Sequence, residues 1–220
     1  MAHKCFISFK KEDIYYREEL DRLFDKRDVI NKGLDKVIES DDGDYIMKKI
    51  RDEYLKDSTV TLFLIGEHSS ENEGVDRLGR DKNYFIKKEL QSSLYNRQGN
   101  TRNGILGVVI PSMYDEIYKG EYICSTCGKE HNTVLLNDNT VIKEFSENYY
   151  LKPHEGCCWY PDERYCVLVK WDDFIDDPEK YINEAYEKRN TDLYDKVHVN
   201  INRGNVFKLF WYLRIWKVIL

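Results

Sequence analysis

The run Ser58-Thr59-Val60-Thr61-Leu62-Phe63-Leu64-Ile65-Gly66 does most to limit what this chain can fold into. It is apolar and β-branched, without clean polar/apolar alternation. A strand with one wet face alternates, whereas a strand covered on both faces does not. The run therefore predicts a sheet sandwiched between helices. Three further runs read the same way: Lys4-Cys5-Phe6-Ile7-Ser8-Phe9, Ile105-Leu106-Gly107-Val108-Val109-Ile110 before Pro111, and Tyr165-Cys166-Val167-Leu168-Val169-Lys170. Helical spacing fills the intervals. Tyr16, Leu20, Leu23 and Phe24 recur within residues 11–27, and Ile46, Met47, Ile50 and Tyr54 recur after a capping Asp44. Ile86, Leu90 and Leu94 recur within residues 82–95, and Asp177-Pro178 opens a last helix. A weaker strand falls at Val29-Ile30 or Lys36-Val37-Ile38. Strands alternating with helices predict an α/β fold, a flavodoxin-like doubly wound parallel sheet of about five strands. Ligands of such folds lie beyond the carboxyl ends of the strands, which selects the loops after Phe9, Ile38, Gly66 and Ile110.

Composition removes several classes of function. The chain has 17 Tyr, 9 Phe and 4 Trp in 220 residues, too many large apolar groups for a disordered polymer. Its net charge of −6 lacks the basic footprint of a nucleic-acid binder. No uncharged apolar run is long enough to cross a bilayer. The start, Met1-Ala2-His3-Lys4-Cys5, leads directly into a strand pattern without a signal-peptide core, so a cytoplasmic location is expected. No G-x-G-x-x-G or P-loop pattern occurs.

In a reducing compartment the six cysteines are expected as thiols or metal ligands. Cys5 and Cys166 lie in strand patterns and read as core. The others fall in a turn-rich segment, residues 120–162, that interrupts the alternation. Cys124-x-x-Cys127-Gly128 is a knuckle-like turn, and His154-x-x-Cys157 supplies a second pair. Together they make a Cys3His set, the usual composition of a closed structural zinc centre. Cys158 is an alternative to Cys157, and His131 to His154; plain reduced thiols are the competing reading. Residues 191–220 form a C-terminal extension. Its apolar part, residues 206–220, is too short and too charged to span a membrane, and suits packing on the domain, self-association or an interfacial position.

Four pieces carry a resemblance. Phe6-Ile7-Ser8-Phe9 is similar to the first-strand motif of TIR domains. Thr59-Val60-Thr61-Leu62-Phe63-Leu64-Ile65-Gly66 resembles the central strand of the TIR-like family of bacterial Thoeris antiphage defence. Phe85-Ile86-Lys87-Lys88-Glu89 resembles that family's Trp-Val-x-x-Glu motif, with Phe85 in the Trp position and an extra segment, residues 71–81, before it. Val169-Lys170-Trp171-Asp172-Asp173-Phe174 resembles its last strand. The match covers residues 3–112 and 164–189, so residues 1–190 are expected as one TIR-like domain with the Cys-rich segment inserted.

The resemblance implies an enzyme that splits nicotinamide from NAD+ and releases a cyclic or conjugated ADP-ribose signal to a separate effector, under a phage-derived trigger. It implies Glu89 as the catalytic carboxylate. Ser8, Phe9 and Lys10 would meet the nucleotide, with Lys10 or Lys11 at the pyrophosphate. The loop at Ser40 would close over the ligand, His68, Ser69 and Ser70 would edge the pocket, and Phe85 would pack on the nucleotide. A carboxylate there can stabilise an oxocarbenium-like ribose, as in glycoside hydrolysis. The plainer readings are a solvated carboxylate for Glu89, a core ring for Phe85 and a solvated helix start for the lysines. At the level of the chain, the alternative is a non-catalytic sensor or scaffold module acting through protein–protein interaction, and a nucleoside or nucleotide hydrolase on the same fold is a third; a homo-oligomer is among the expected partners.

Overall fold

The computed structural model describes residues 3–24, 30–33, 38, 40, 42–77, 79, 81–96 and 101–200. Strand β1 (Lys4–Ser8) leads through a 3-10 turn at Lys11–Asp13 into helix α1 (Ile14–Phe24). Strand β2 (Ile30–Gly33) follows, then helix α2 (Gly43–Lys49) with a π-helical extension Ile50–Leu55, and strand β3 (Val60–Ile65). Helix α3 (Tyr84–Leu94), strand β4 (Gly104–Val109) and the short helix α4 (Tyr114–Ile117) come next. Then come a hairpin of β5 (Tyr118–Ile123) and β6 (Glu130–Val134) and helix α5 (Lys143–Tyr149). Strand β7 (Cys166–Lys170) and helices α6 (Trp171–Asp176) and α7 (Pro178–Glu187) complete the order.

The main sheet runs β2-β1-β3-β4-β7, parallel throughout, which is the flavodoxin-like strand order. Strand alternation divides the core. Leu62 and Leu64 of β3, with Leu106 and Val108 of β4, face Leu20 and Phe24 of α1, Phe174 of α6 and Ile182 of α7. Phe63, Ile65, Ile105 and Val109 point to the other face, against Ile86, Leu90 and Leu94 of α3 and Phe145 and Tyr149 of α5. Both faces are covered, so β3 and β4 carry no exposed position. A Cβ on Gly107 would sit 2.4 Å from the Phe145 ring, so the missing side chain lets α5 close on the sheet.

Local differences from the sequence expectations have physical causes. Asp42, not Asp44, caps α2: its Oδ1 accepts from the N–H groups of Asp44 (2.9 Å) and Tyr45 (3.2 Å). The second strand, Ile30–Gly33, starts in the first of the two short runs expected for it and continues past that run. Asp177 does cap α7, accepting from Lys180 N–H at 3.2 Å with Pro178 in the first turn. The segment between β4 and β7 is more than a loop. Its hairpin has an exposed outer strand, but Val141, Ile142, Phe145 and Tyr149 are buried in the main core. Residues 191–200 also lie against the domain. Leu193 is buried there, and Asn148 donates to His198 O and accepts from His198 N–H. The apolar stretch 206–220 lies outside the described residues, as do Val29, Lys36 and Val37. No helix among the described residues is long and apolar enough to cross a membrane.

Candidate functional site

The strand order reverses direction between β1 and β3, and the carboxyl ends of these two strands open a crevice there. A cavity of about 610 Å³ occupies it. Lys10 and Glu12 reach it from the turn after β1, Ser40 from the loop before α2, and His68 from the turn after β3. Glu73, Asp76, Asp81 and Lys82 come from the long segment before α3, and Tyr84 and Phe85 form an aromatic wall, edge to face at 5.6 Å between centroids. Four of the positions expected from sequence, Lys10, Ser40, His68 and Phe85, are thus brought to one cavity.

Ser8, at the end of β1, meets Glu89 of α3. Ser8 Oγ donates to Glu89 Oε2 at 2.6 Å, and both residues are buried. Glu89 lies one turn beyond Phe85 on α3; Phe85 lines the cavity and Glu89 does not. Burial pushes the Glu89 carboxyl up to about 8, against the smaller opposing effect of the Ser8 hydrogen bond. Burial thus favours the protonated form of this carboxyl. Phe9 departs from its expected place. Strand alternation sends it to the opposite face, where its ring packs with the α1 core under the Arg17 guanidinium, 5.8 Å from the centroid.

Buried polar residues that the sequence did not single out fix this geometry. Asn83 is fully buried at the start of α3. Its Nδ2 donates to His68 O (3.0 Å) and Ser70 O, and its Oδ1 accepts from Lys10 Nζ (2.8 Å). One side chain thus ties the turns after β1 and β3 to α3. Behind Glu89, Thr61 Oγ1 donates to Ser93 Oγ (2.7 Å), which donates to Glu89 O (2.9 Å), and Asn103 Nδ2 donates to Thr61 Oγ1 (3.1 Å). This thread fixes α3 axially on the sheet. Asp13 is buried against Gly66, where an added Cβ would sit 2.4 Å from the carboxylate oxygens. Desolvation raises its pKa to about 6.

A second constellation lies in the inserted segment. The ligand atoms of Cys124, Cys127, His131 and Cys157 all fall within 4.8 Å of one another. His154 is elsewhere: its ring stacks on Trp159 at 4.2 Å and its Nε2 lies 3.4 Å from Glu163 Oε2. The histidine of the set is therefore His131, which β6 carries back under the knuckle, rather than His154. Backbone N–H groups of Cys127 and Thr126 point at Cys124 Sγ and pull its thiol down to about 6. Cys5 and Cys166 are buried in the sheet, and burial raises both thiols.

Residues 6–115, half of the chain, match the family model described as Thoeris protein ThsB, TIR-like domain. The matched region runs from β1 into α4 and contains Ser8, Lys10, Asn83, Phe85 and Glu89. The thiol cluster lies outside it.

Proposed function

The chain belongs to the Thoeris ThsB TIR-like domain family, and from that premise we propose that it cleaves the nicotinamide–ribose bond of NAD+ with Glu89 as the catalytic carboxylate. The observation that carries this reading is the buried Ser8–Glu89 pair, whose chain neighbours Lys10 and Phe85 line an aromatic-walled cavity at the switch point of the sheet. NAD+ brings a cationic pyridinium. The carboxylates of Glu12, Glu73, Asp76 and Asp81 suit that end of the molecule, and Lys10 suits the pyrophosphate. A cation beside Glu89 favours its ionised form, reversing the effect of burial. The carboxylate then stabilises the oxocarbenium-like ribose as neutral nicotinamide leaves, and takes the proton of the attacking hydroxyl. Attack from within the nucleotide gives a cyclic ADP-ribose; attack by another hydroxyl or amine gives a conjugate. Either product serves as a diffusible signal to an effector in antiphage defence.

A second reading has its own observation. Glu89 is desolvated in a way that favours its neutral form, hydrogen-bonded to Ser8 and absent from the cavity lining, which also suits a structural carboxyl in a non-catalytic sensor or scaffold. Incubation with NAD+, with and without lysate of phage-infected cells, separates the two when nicotinamide is followed by chromatography. We expect release in the triggered sample and a loss of roughly 10²-fold or more in Glu89→Gln. Absence of release under every trigger, or undiminished release by the variant, rejects catalysis by Glu89 and favours the module reading.

A further inference from the structure

The hairpin of β5 and β6 poses a problem of attachment. At its base Tyr118 and Val134 pack on the main core, and Leu135 N–H donates to Ile117 O at 2.8 Å. Beyond the base, residues 119–123 of β5 are exposed, and the pairing slips between Tyr118 and Gly120. A lone two-stranded hairpin is marginally stable in water. Its far end nevertheless meets a loop distant in sequence, through Cys157.

We propose that Cys124, Cys127, His131 and Cys157 bind one zinc ion in a closed, structural, tetrahedral site that fastens the hairpin tip to the loop before β7, with Cys158 as an outer hydrogen-bond partner of His131 rather than a ligand. Four lines of geometry carry this. First, the knuckle is built for a thiolate. Gly128 takes φ +68°, its N–H donates to Cys124 O at 2.8 Å, and Cys124 N–H donates to Lys129 O at 2.8 Å, which closes the turn around the two thiols. Second, the spacings suit a tetrahedron. With Zn–S near 2.3 Å and Zn–N near 2.0–2.1 Å, its S···N edges are about 3.6 Å. Here His131 Nε2 lies 3.1 Å from Cys127 Sγ and 3.5 Å from Cys157 Sγ.

Third, the two ring nitrogens separate the vicinal cysteines. Nε2 faces Cys127 and Cys157, whereas Nδ1 faces Cys158 Sγ at 3.5 Å. A metal on Nε2 leaves Nδ1–H to donate to Cys158, the outer contact that orients most metal-bound imidazoles. Fourth, three thiolates and one imidazole complete the coordination without a place for water, which makes the site structural and favours zinc among the common divalent ions.

The test uses full-length protein purified without chelators. Elemental analysis should find about one zinc per chain. After chelation, Co2+ should restore a tetrahedral visible spectrum with thiolate charge transfer. Cys157→Ser should lose the stoichiometric metal. Cys158→Ser and His154→Ala should keep it, the former with affinity reduced roughly tenfold. Folded wild-type chain that neither contains zinc nor takes up Co2+ overturns the site. Full zinc retention by Cys157→Ser, or loss by Cys158→Ser, overturns the ligand assignment. Should a ligand variant fail to fold, limited proteolysis of wild-type protein decides the fastening. Chelator should speed cleavage within residues 119–133 about tenfold, and unchanged cleavage rejects it. None of these readouts depends on NAD+ cleavage.

Discussion

At the scale of single residues, two buried carboxyls give the domain a pH signature. Glu89 is raised from 4.5 to about 8 and Asp13 from 3.8 to about 6. Within each window the folded chain holds a proton that the unfolded chain releases, so stability falls as pH rises. Between pH 6 and 8, Glu89 is the main contributor of the two. Thermal melts of Glu89→Gln and wild type should therefore diverge across that interval, with the variant gaining relative to wild type as pH climbs. Parallel curves would mean that the carboxyl is not held neutral. Asn83 carries a different load. Asn83→Ala strips partners from Lys10 and from the carbonyls of His68 and Ser70, and should cost about 1–3 kcal/mol in urea denaturation. Glu89 was legible because a motif surrounds it. Asn83 and Asp13 were not, because their partners arrive from loops far away in sequence and no local pattern marks a buried Asn or Asp.

Among elements, legibility followed length and burial. β3 and β4 were plain in the sequence because each is apolar on both faces. α5 was not, because its seven residues, Lys143 to Tyr149, are too few to display a helical period. Its place depends on Gly107, which no apolar pattern flags as a packing site. Gly107→Ala would push its Cβ into the Phe145 ring and should destabilise by about 1–3 kcal/mol. Phe145→Leu in the same chain should recover part of that loss, and a double-mutant cycle by urea denaturation measures the recovery. Additive single effects would show that α5 and β4 are not in the contact described. The polar thread from Asn103 through Thr61 and Ser93 to the backbone of Glu89 is likewise an interaction between elements. It is visible only once α3 lies on the sheet.

For the molecule as a whole, the inserted segment divides into two unlike parts. The hairpin is peripheral, whereas Val141, Ile142, Phe145 and Tyr149 complete the core on the α3 face. Replacing residues 119–133 with a short turn should leave a cooperative melt by circular dichroism. Removing residues 118–163 entirely should abolish it, since the α3 face would then lose its covering layer. The expectation of a single insertion therefore described the chain order correctly but not the packing. A break in strand–helix alternation reveals where a segment departs from the main pattern, not which of its side chains return to the core.

The pairing of β4 with β7 has a consequence for how the chain is made. Ile105 lies beside Cys166, and the residues between them must leave the ribosome before that ladder can close. At about 5–20 residues per second, β4 spends roughly 3–12 s as the open edge of a nascent sheet. An apolar strand edge in that condition invites pairing with a neighbouring chain.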